Sequence, residues 1–427
     1  MKRVLLLFVI GFVLLPAYCR AADESYGYPI PDPYDATIMG TPEPLKAQLP
    51  TVVPTRQLVL TPIPGIKKPD IFFYDDGLHC TLAYQKKKAP LIFVIAGTGA
   101  SYQSPKELAI MRALYKNGLH VITLSSPTYP NFIINASSSH IPGDLTEDAE
   151  DLYRVMEAAW NEVKGDIEVS EFFLAGYSLG GTQAAFVAKL DSERKIFNFG
   201  KVLMINPAVS LYDSVSRIEG LLNGIPGGPD KIGAFLNSMM AKFMAFYREG
   251  DFIDVNNEFL YAVYQSKLMT KEEAGGLIGL AFRISLAGMV FTSDVMTNGG
   301  YVVPKNRVLK VSDSLSEYFR VSAHLSFLDY FNEYLYPHFE KKRPGLTKEE
   351  LIRASSLKSI EGYLKSTSKI GVITSGNEVI LTPEEVTYLR ELFGERTKVF
   401  PRGGHMGNLE YIDNMAYLSD FVGFFNK

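Results

Sequence analysis

Phe172-Phe173-Leu174-Ala175-Gly176-Tyr177-Ser178-Leu179-Gly180-Gly181 is the stretch on which the reading of this chain turns. A short apolar run enters Gly-x-Ser-x-Gly, and a small-residue helical pattern follows at 182–190. That order predicts strand, sharp turn and helix, with Ser178 raised on a strained elbow at the carboxyl edge of a sheet. Gly176 and Gly180 flank the elbow because the backbone crowds itself there and leaves no room for a Cβ. The N–H of Leu179 then sits at a helix N-terminus, placed to donate to a developing oxyanion. Ser178 is the candidate nucleophile. The pentapeptide also fits a tight turn with an unreactive serine, so the reading depends on whether an acid and a histidine follow.

Both follow, in that order. His405 lies in Pro401-Arg402-Gly403-Gly404-His405-Met406-Gly407-Asn408, after the apolar run Thr397–Phe400 and before a helical pattern. That places it on a loop at the end of a strand. Upstream, Ile370-Gly371-Val372-Ile373-Thr374 reads as a buried strand leading into Ser375-Gly376-Asn377-Glu378-Val379-Ile380-Leu381.

Over roughly residues 55–210 and 368–427 the chain resembles the α/β-hydrolase superfamily, whose members run nucleophile, acid, histidine along the sequence. The resemblance implies Ser178 as nucleophile, His405 as general base and Glu378 as the acid. Gly-Asn-Glu-Val-Ile-Leu is similar to the family's Gly-x-Asp-Pro-Ile-Val stretch, with Glu for the commoner Asp and Val379 where proline is usual. Asp213, soon after the strand pattern at 201–206, is a second candidate for the acid, because some members place it there. The continuous apolar run at 91–96 ends in Gly97-Thr98-Gly99-Ala100-Ser101, where the family carries His-Gly-x. Ala96 replaces that histidine, and the resemblance implies the N–H groups of Thr98 and Leu179 as the oxyanion hole. A phosphate-binding loop is excluded here, since neither Gly-Lys-Ser/Thr nor a Rossmann glycine triplet is present.

The other histidines lack this context. His120 falls inside a strand pattern, His79 early in another, His140 in a polar loop, and His324 and His338 in a helical region. None shows metal-ligand spacing with Cys or carboxylates, so no metal site is expected. The family resemblance implies no cofactor.

At 427 residues, one large domain or a domain with an insertion is expected. The formal charge of −4 comes without a basic stripe, so no nucleic-acid partner is expected. Lys2-Arg3, an apolar run at 4–15 and Pro16-Ala17-Tyr18-Cys19-Arg20-Ala21-Ala22 read as a secretory signal peptide cleaved near Ala21 or Ala22. Export to the periplasm or beyond follows from that reading. Membrane association is expected only if this segment is retained or lipidated, and Tyr18 is bulky for the residue before a lipidated Cys19. Removing Lys2, Arg3 and Arg20 takes the charge from −4 to −7 and leaves Cys80 alone, without an intrachain disulfide.

The expected organisation is a signal peptide (1–22), a proline-rich extended arm (23–54), an α/β core (55–212 and 368–427) and a helical cap insertion (213–367). Strand patterns at 57–60, 71–74, 79–85, 91–96, 120–124 and 201–206 alternate with helical stripes such as Leu152, Val155, Met156, Ala159 and Val163. Such alternation predicts a mostly parallel sheet with helices on both faces. From Asp213 on, helical patterns replace it, in the interval where α/β-hydrolases carry a cap. Met239, Met240, Phe243, Met244, Phe246 and Tyr247 cluster there, and an apolar helix face of this kind mostly packs in a core. If some of them face the site, an apolar acyl chain is the matching ligand. The expected function is hydrolysis of a carboxylic ester or thioester of a small or lipid-like acyl group. A capped aminopeptidase, an acyltransferase and a non-catalytic protein on the same fold stand as alternatives.

Overall fold

A computed structural model describes residues 26–249 and 257–423. The signal-peptide reading of 1–22 and the final turn of the C-terminal helical pattern lie outside the described residues. Eight strands form one sheet: β1 (Thr55–Leu60), β2 (Leu78–Ala83), β3 (Ala89–Ile95), β4 (His120–Leu124), β5 (Val169–Tyr177), β6 (Lys201–Ile205), β7 (Ile370–Ser375) and β8 (Thr397–Phe400). Their order is β1-β2-β4-β3-β5-β6-β7-β8. β2 runs antiparallel to both β1 and β4, and every pairing from β4 across to β8 is parallel. With the elbow after β5, this is the α/β-hydrolase fold.

The helices that matter to the site are α1 (Pro33–Met39), α2 (Pro105–Lys116), α3 (Leu145–Val163), α4 (Leu179–Arg194), α5 (Leu211–Gly220), α6 (Lys271–Thr297), α7 (Pro383–Phe393) and α8 (Ile412–Gly423). Alternation along β3 splits its side chains between two cores. Leu91, Phe93 and Ile95 pack with α3, α4 and α7 on one face. Ile92 and Val94 pack with α2 and α8 on the other. The Leu152–Val163 stripe is buried as its spacing demands, and Asp144 caps that helix by accepting the N–H groups of Thr146 at 3.1 Å and Glu147 at 3.2 Å. With both faces covered, the loops at the carboxyl ends of the parallel strands are the free places for a site.

Between β6 and β7 the described residues form helices and turns without a strand. The longest helix, α6, opens with a capping box between Thr270 and Glu273. By length and composition α6 could cross a membrane, yet most of it is buried inside the protein. Its Arg283 makes an ion pair with Glu219 at 2.6 Å.

The structure corrects two local expectations. Residues 71–74 do not form a strand: Asp70–Phe72 is a single 3-10 turn after Pro69, with Ile71 and Phe72 buried and Phe73 and Tyr74 exposed. The alternation a half-buried strand needs is missing. The arm at 23–54 is not extended throughout, because α1 interrupts it. Asp32 accepts the N–H groups of Tyr34 and Asp35, Pro33 occupies the first helical turn, and Gly40 closes the helix at φ 70°. Asp-Pro is a helix start here, although the proline content alone suggests extended chain. The arm also lies on the core, where Tyr28 and Ile30 are fully buried.

Glu107 on α2 is fully buried, and among the described residues its carboxyl has at most a weak interaction with the Leu124 backbone. Burial pushes this carboxyl well above the usual range, which favours its neutral form. A carboxyl whose folded pKa is raised contributes fully below its unfolded pKa and loses that contribution as pH rises toward the folded value. Glu107→Gln removes the titration. The unfolding free energy of Glu107→Gln relative to wild type, from denaturant titrations, should therefore climb from pH 5 to pH 9, by up to ~1.4 kcal/mol per pH unit in the titrating range. A difference that stays flat with pH would contradict a neutral buried Glu107.

Candidate active site

The elbow has the geometry that its glycines predict. Ser178 sits at φ 55°, ψ −125°, a strained conformation for a residue with a Cβ. Its own N–H donates to the Ile205 carbonyl at 2.8 Å, which pins the turn to β6. A Cβ on Gly176 would lie 2.1 Å from the Gly180 carbonyl oxygen, and one on Gly180 would lie 2.2 Å from that of Ile95. No side chain fits at either position. Leu179 is the first residue of α4, so its N–H has no partner within the helix.

The loop after β8 brings His405 to this serine. Nε2 of His405 lies 2.9 Å from Ser178 Oγ, and Nδ1 lies 2.8 Å from Glu378 Oε1. With the imidazole neutral, a proton on Nδ1 faces the carboxylate and Nε2 is left to accept the serine O–H. The Glu378 side chain is completely buried, and its charge is matched by donors on every side. Oε1 also accepts from the N–H groups of Val379 at 2.8 Å and Ile380 at 3.3 Å, and Oε2 accepts from Asn206 Nδ2 at 2.5 Å. Asp213, the other acid weighed, is exposed in the first turn of α5 and makes no contact with His405.

The loop after β3 closes the other side. A Cβ on Gly97 would fall 3.0 Å from Ser178 Cβ, so only glycine lets this loop lie against the nucleophile. The N–H groups of Thr98 and Leu179 find no acceptor among the described residues, and both residues border cavity space beside Ser178. Two cavities meet there and share Thr98, Phe282 and Ser285 as a common wall. One narrow apolar cavity, of about 50 Å³, runs from Thr98 and Leu179 among Val215, Leu286, Met289, Phe327, Phe331 and Leu335. The second is open to solvent and holds Ser178, His405, Tyr177, Ser104 and Lys106. Met239, Met240 and Met244 line neither. Met239 packs against Leu222, Ile225 and Phe235, while Met240 and Met244 are exposed.

Several residues that hold this arrangement are silent in the sequence. Asn206 supports Glu378 from the end of β6 at φ 46°, a left-handed conformation that asparagine tolerates. The Asn206-Pro207 pair was a turn signal available for it. Asn377 accepts the N–H groups of Gly403 and Gly404, both at 3.0 Å, and so ties the acid loop to the histidine loop. Thr37 of α1 accepts the His405 N–H at 2.9 Å, and Thr41 donates to the Gly407 carbonyl at 3.0 Å. The arm thus clamps the histidine loop from outside. Three other histidines are engaged elsewhere: His79 pairs with Asp76, His140 with the Ile133 carbonyl, and His120 is buried and bonded to the Gln85 N–H and the Glu168 carbonyl, with burial lowering its pKa.

No family model and no curated protein matches this chain. Among solved structures, the chain is similar to a membrane phospholipase A described as a bacterial virulence factor, at 16% identity over 99% of each chain and a TM-score of 0.42. It is also similar to carboxyl esterase 2 from the mycorrhizal fungus Tuber melanosporum, at 15% identity over 96% of each chain and a TM-score of 0.41. A third is Est1E from Butyrivibrio proteoclasticus, at 12% identity over 82% of this chain and 95% of that one, with a TM-score of 0.37. The fold rests on the strand order and elbow of this chain itself.

Proposed function

We propose that this protein is a serine hydrolase that cleaves a carboxylic ester or thioester carrying an apolar acyl group. The observation that carries the reading is His405, held between Ser178 Oγ at 2.9 Å and a buried Glu378 at 2.8 Å, beside two unpaired N–H groups. In this mechanism His405 Nε2 takes the serine proton as Oγ attacks the acyl carbon. The carbonyl oxygen becomes an oxyanion that the Thr98 and Leu179 N–H groups receive. His405 returns the proton to the leaving oxygen or sulfur, the acyl bond breaks, and a water activated by the same histidine releases the acid from Ser178. Each step uses only residues of this chain, and no cofactor enters it. The proposed setting, outside the cytoplasm, rests on the N-terminal sequence pattern alone.

The narrow apolar cavity supports an apolar acyl group, because its wall is mostly aliphatic and aromatic and begins at the proposed oxyanion donors. Each methylene it buries is worth ~0.8 kcal/mol, about fourfold in kcat/KM, until the chain outgrows the space. A series of 4-nitrophenyl esters from acetate to decanoate on the purified protein should therefore rise steeply beyond acetate. Activity confined to acetate, or cleavage of peptides without cleavage of esters, would overturn the reading.

A further inference from the structure

Lys106 has no role in the chemistry above, yet it lines the same cavity as Ser178 and His405. It is half-buried and makes no hydrogen bond or ion pair among the described residues. The acids nearest to it electrostatically, Glu378 and Glu410, are engaged elsewhere, Glu378 with His405 and Asn206, and Glu410 with Lys46 at 3.4 Å. Its position is also unfavourable locally. It is the second residue of α2, where the helix dipole favours negative charge. Ser104, which precedes the helix, pairs with the Tyr177 hydroxyl at 2.9 Å and does not cap it. A lysine placed against the helix dipole and left without a partner inside a site is a local misfit of the kind that function explains.

The two cavities can be assigned to the two halves of an ester. His405 must hand its proton to the leaving atom, so the leaving group lies in the cavity that His405 lines. The acyl chain then takes the narrow apolar cavity bordered by Leu179, which His405 does not line. Lys106 stands on the leaving-group side.

Resting on the hydrolase reading, we propose that Lys106 selects esters whose alcohol or thiol half carries a negative charge, a phosphate or a carboxylate. A compact ammonium suits such a group as a point charge, and the uncapped start of α2 adds to the attraction. Burial pushes the free Lys106 ammonium below the usual lysine range, and an arriving anion offsets that cost of desolvation.

The test compares three esters of one acyl group, with a neutral, a carboxylate-bearing and a phosphate-bearing alcohol. Wild type should prefer at least one anionic ester over the neutral one by about tenfold or more in kcat/KM, less so as salt is raised. The two anionic arms show which group is read. Lys106→Gln should erase that ratio, Lys106→Glu should reverse it and Lys106→Arg should keep most of it. Lys189→Gln, a half-buried α4 lysine paired with Glu193 and lining neither cavity, should leave it unchanged. A wild-type enzyme that cleaves all three alike, or Lys106 variants that lose all three in proportion, would overturn the proposal while leaving the hydrolase reading intact. Failure of every ester would remove both.

Discussion

Ser178→Ala is expected to lower kcat for the best ester of the series by about 10⁵- to 10⁶-fold, with little change in melting temperature. The size follows from the role: without Oγ no acyl-enzyme forms, and only binding and the oxyanion donors remain. The small structural effect follows from the geometry. Ser178 is held by its backbone, through the N–H to the Ile205 carbonyl and through the glycines on either side. Its hydroxyl bonds only His405 among the described residues. Steady-state kinetics and thermal denaturation of the purified variant check both halves. A variant that keeps more than a hundredth of the wild-type rate would mean that the chemistry runs through another group.

Glu378→Gln should cost about 10⁴-fold in kcat, more in turnover than in KM. An amide presents N–H where the carboxylate presents a lone pair, so Nδ1 of His405 loses its reason to hold the proton. Nε2 then carries it and cannot accept from Ser178. The charge that would steady the imidazolium is lost with it. Asp213→Asn serves as the control, because Asp213 stands exposed on α5 away from the histidine, and it should change kcat by less than about twofold. The reverse outcome would move the acid to Asp213 in the first turn of α5. The longer arm of glutamate is accommodated because the N–H groups of Val379 and Ile380 and the Asn206 amide hold the carboxylate at the point where His405 meets it.

What could be read from the sequence was what local backbone chemistry dictates. The elbow was legible because a Cβ on Gly176 or Gly180 would fall 2.1 or 2.2 Å from a backbone oxygen, which leaves glycine as the residue that fits. β4 and β8 fell on their predicted residues, since short apolar runs between turn signals leave few alternatives. The order Ser178, Glu378, His405 was legible through the resemblance, and the structure brings these residues into one hydrogen-bonded row. The clamp on the histidine loop was not legible. Thr37 meets His405 across 368 positions, and Asn206 meets Glu378 across 172, separations over which no periodic pattern carries information. Residues 71–74 misled because an apolar run beside proline reads alike as a short strand or a buried turn. The methionine-rich helix follows its main reading: Met239 packs in a core with Leu222, Ile225 and Phe235, Phe243, Phe246 and Tyr247 pack against another, and none of them lines either cavity. The walls of the acyl cavity come instead from α6 and from the segment around Phe327.

The central claim is that Ser178 is an activated nucleophile. Its most direct test is to expose the purified protein to a fluorophosphonate and locate the adduct by peptide mass spectrometry. The account predicts one adduct, on the peptide carrying Ser178, absent in Ser178→Ala and formed far more slowly in His405→Ala. Equal labelling of wild type and Ser178→Ala, or an adduct on a different residue, would contradict it.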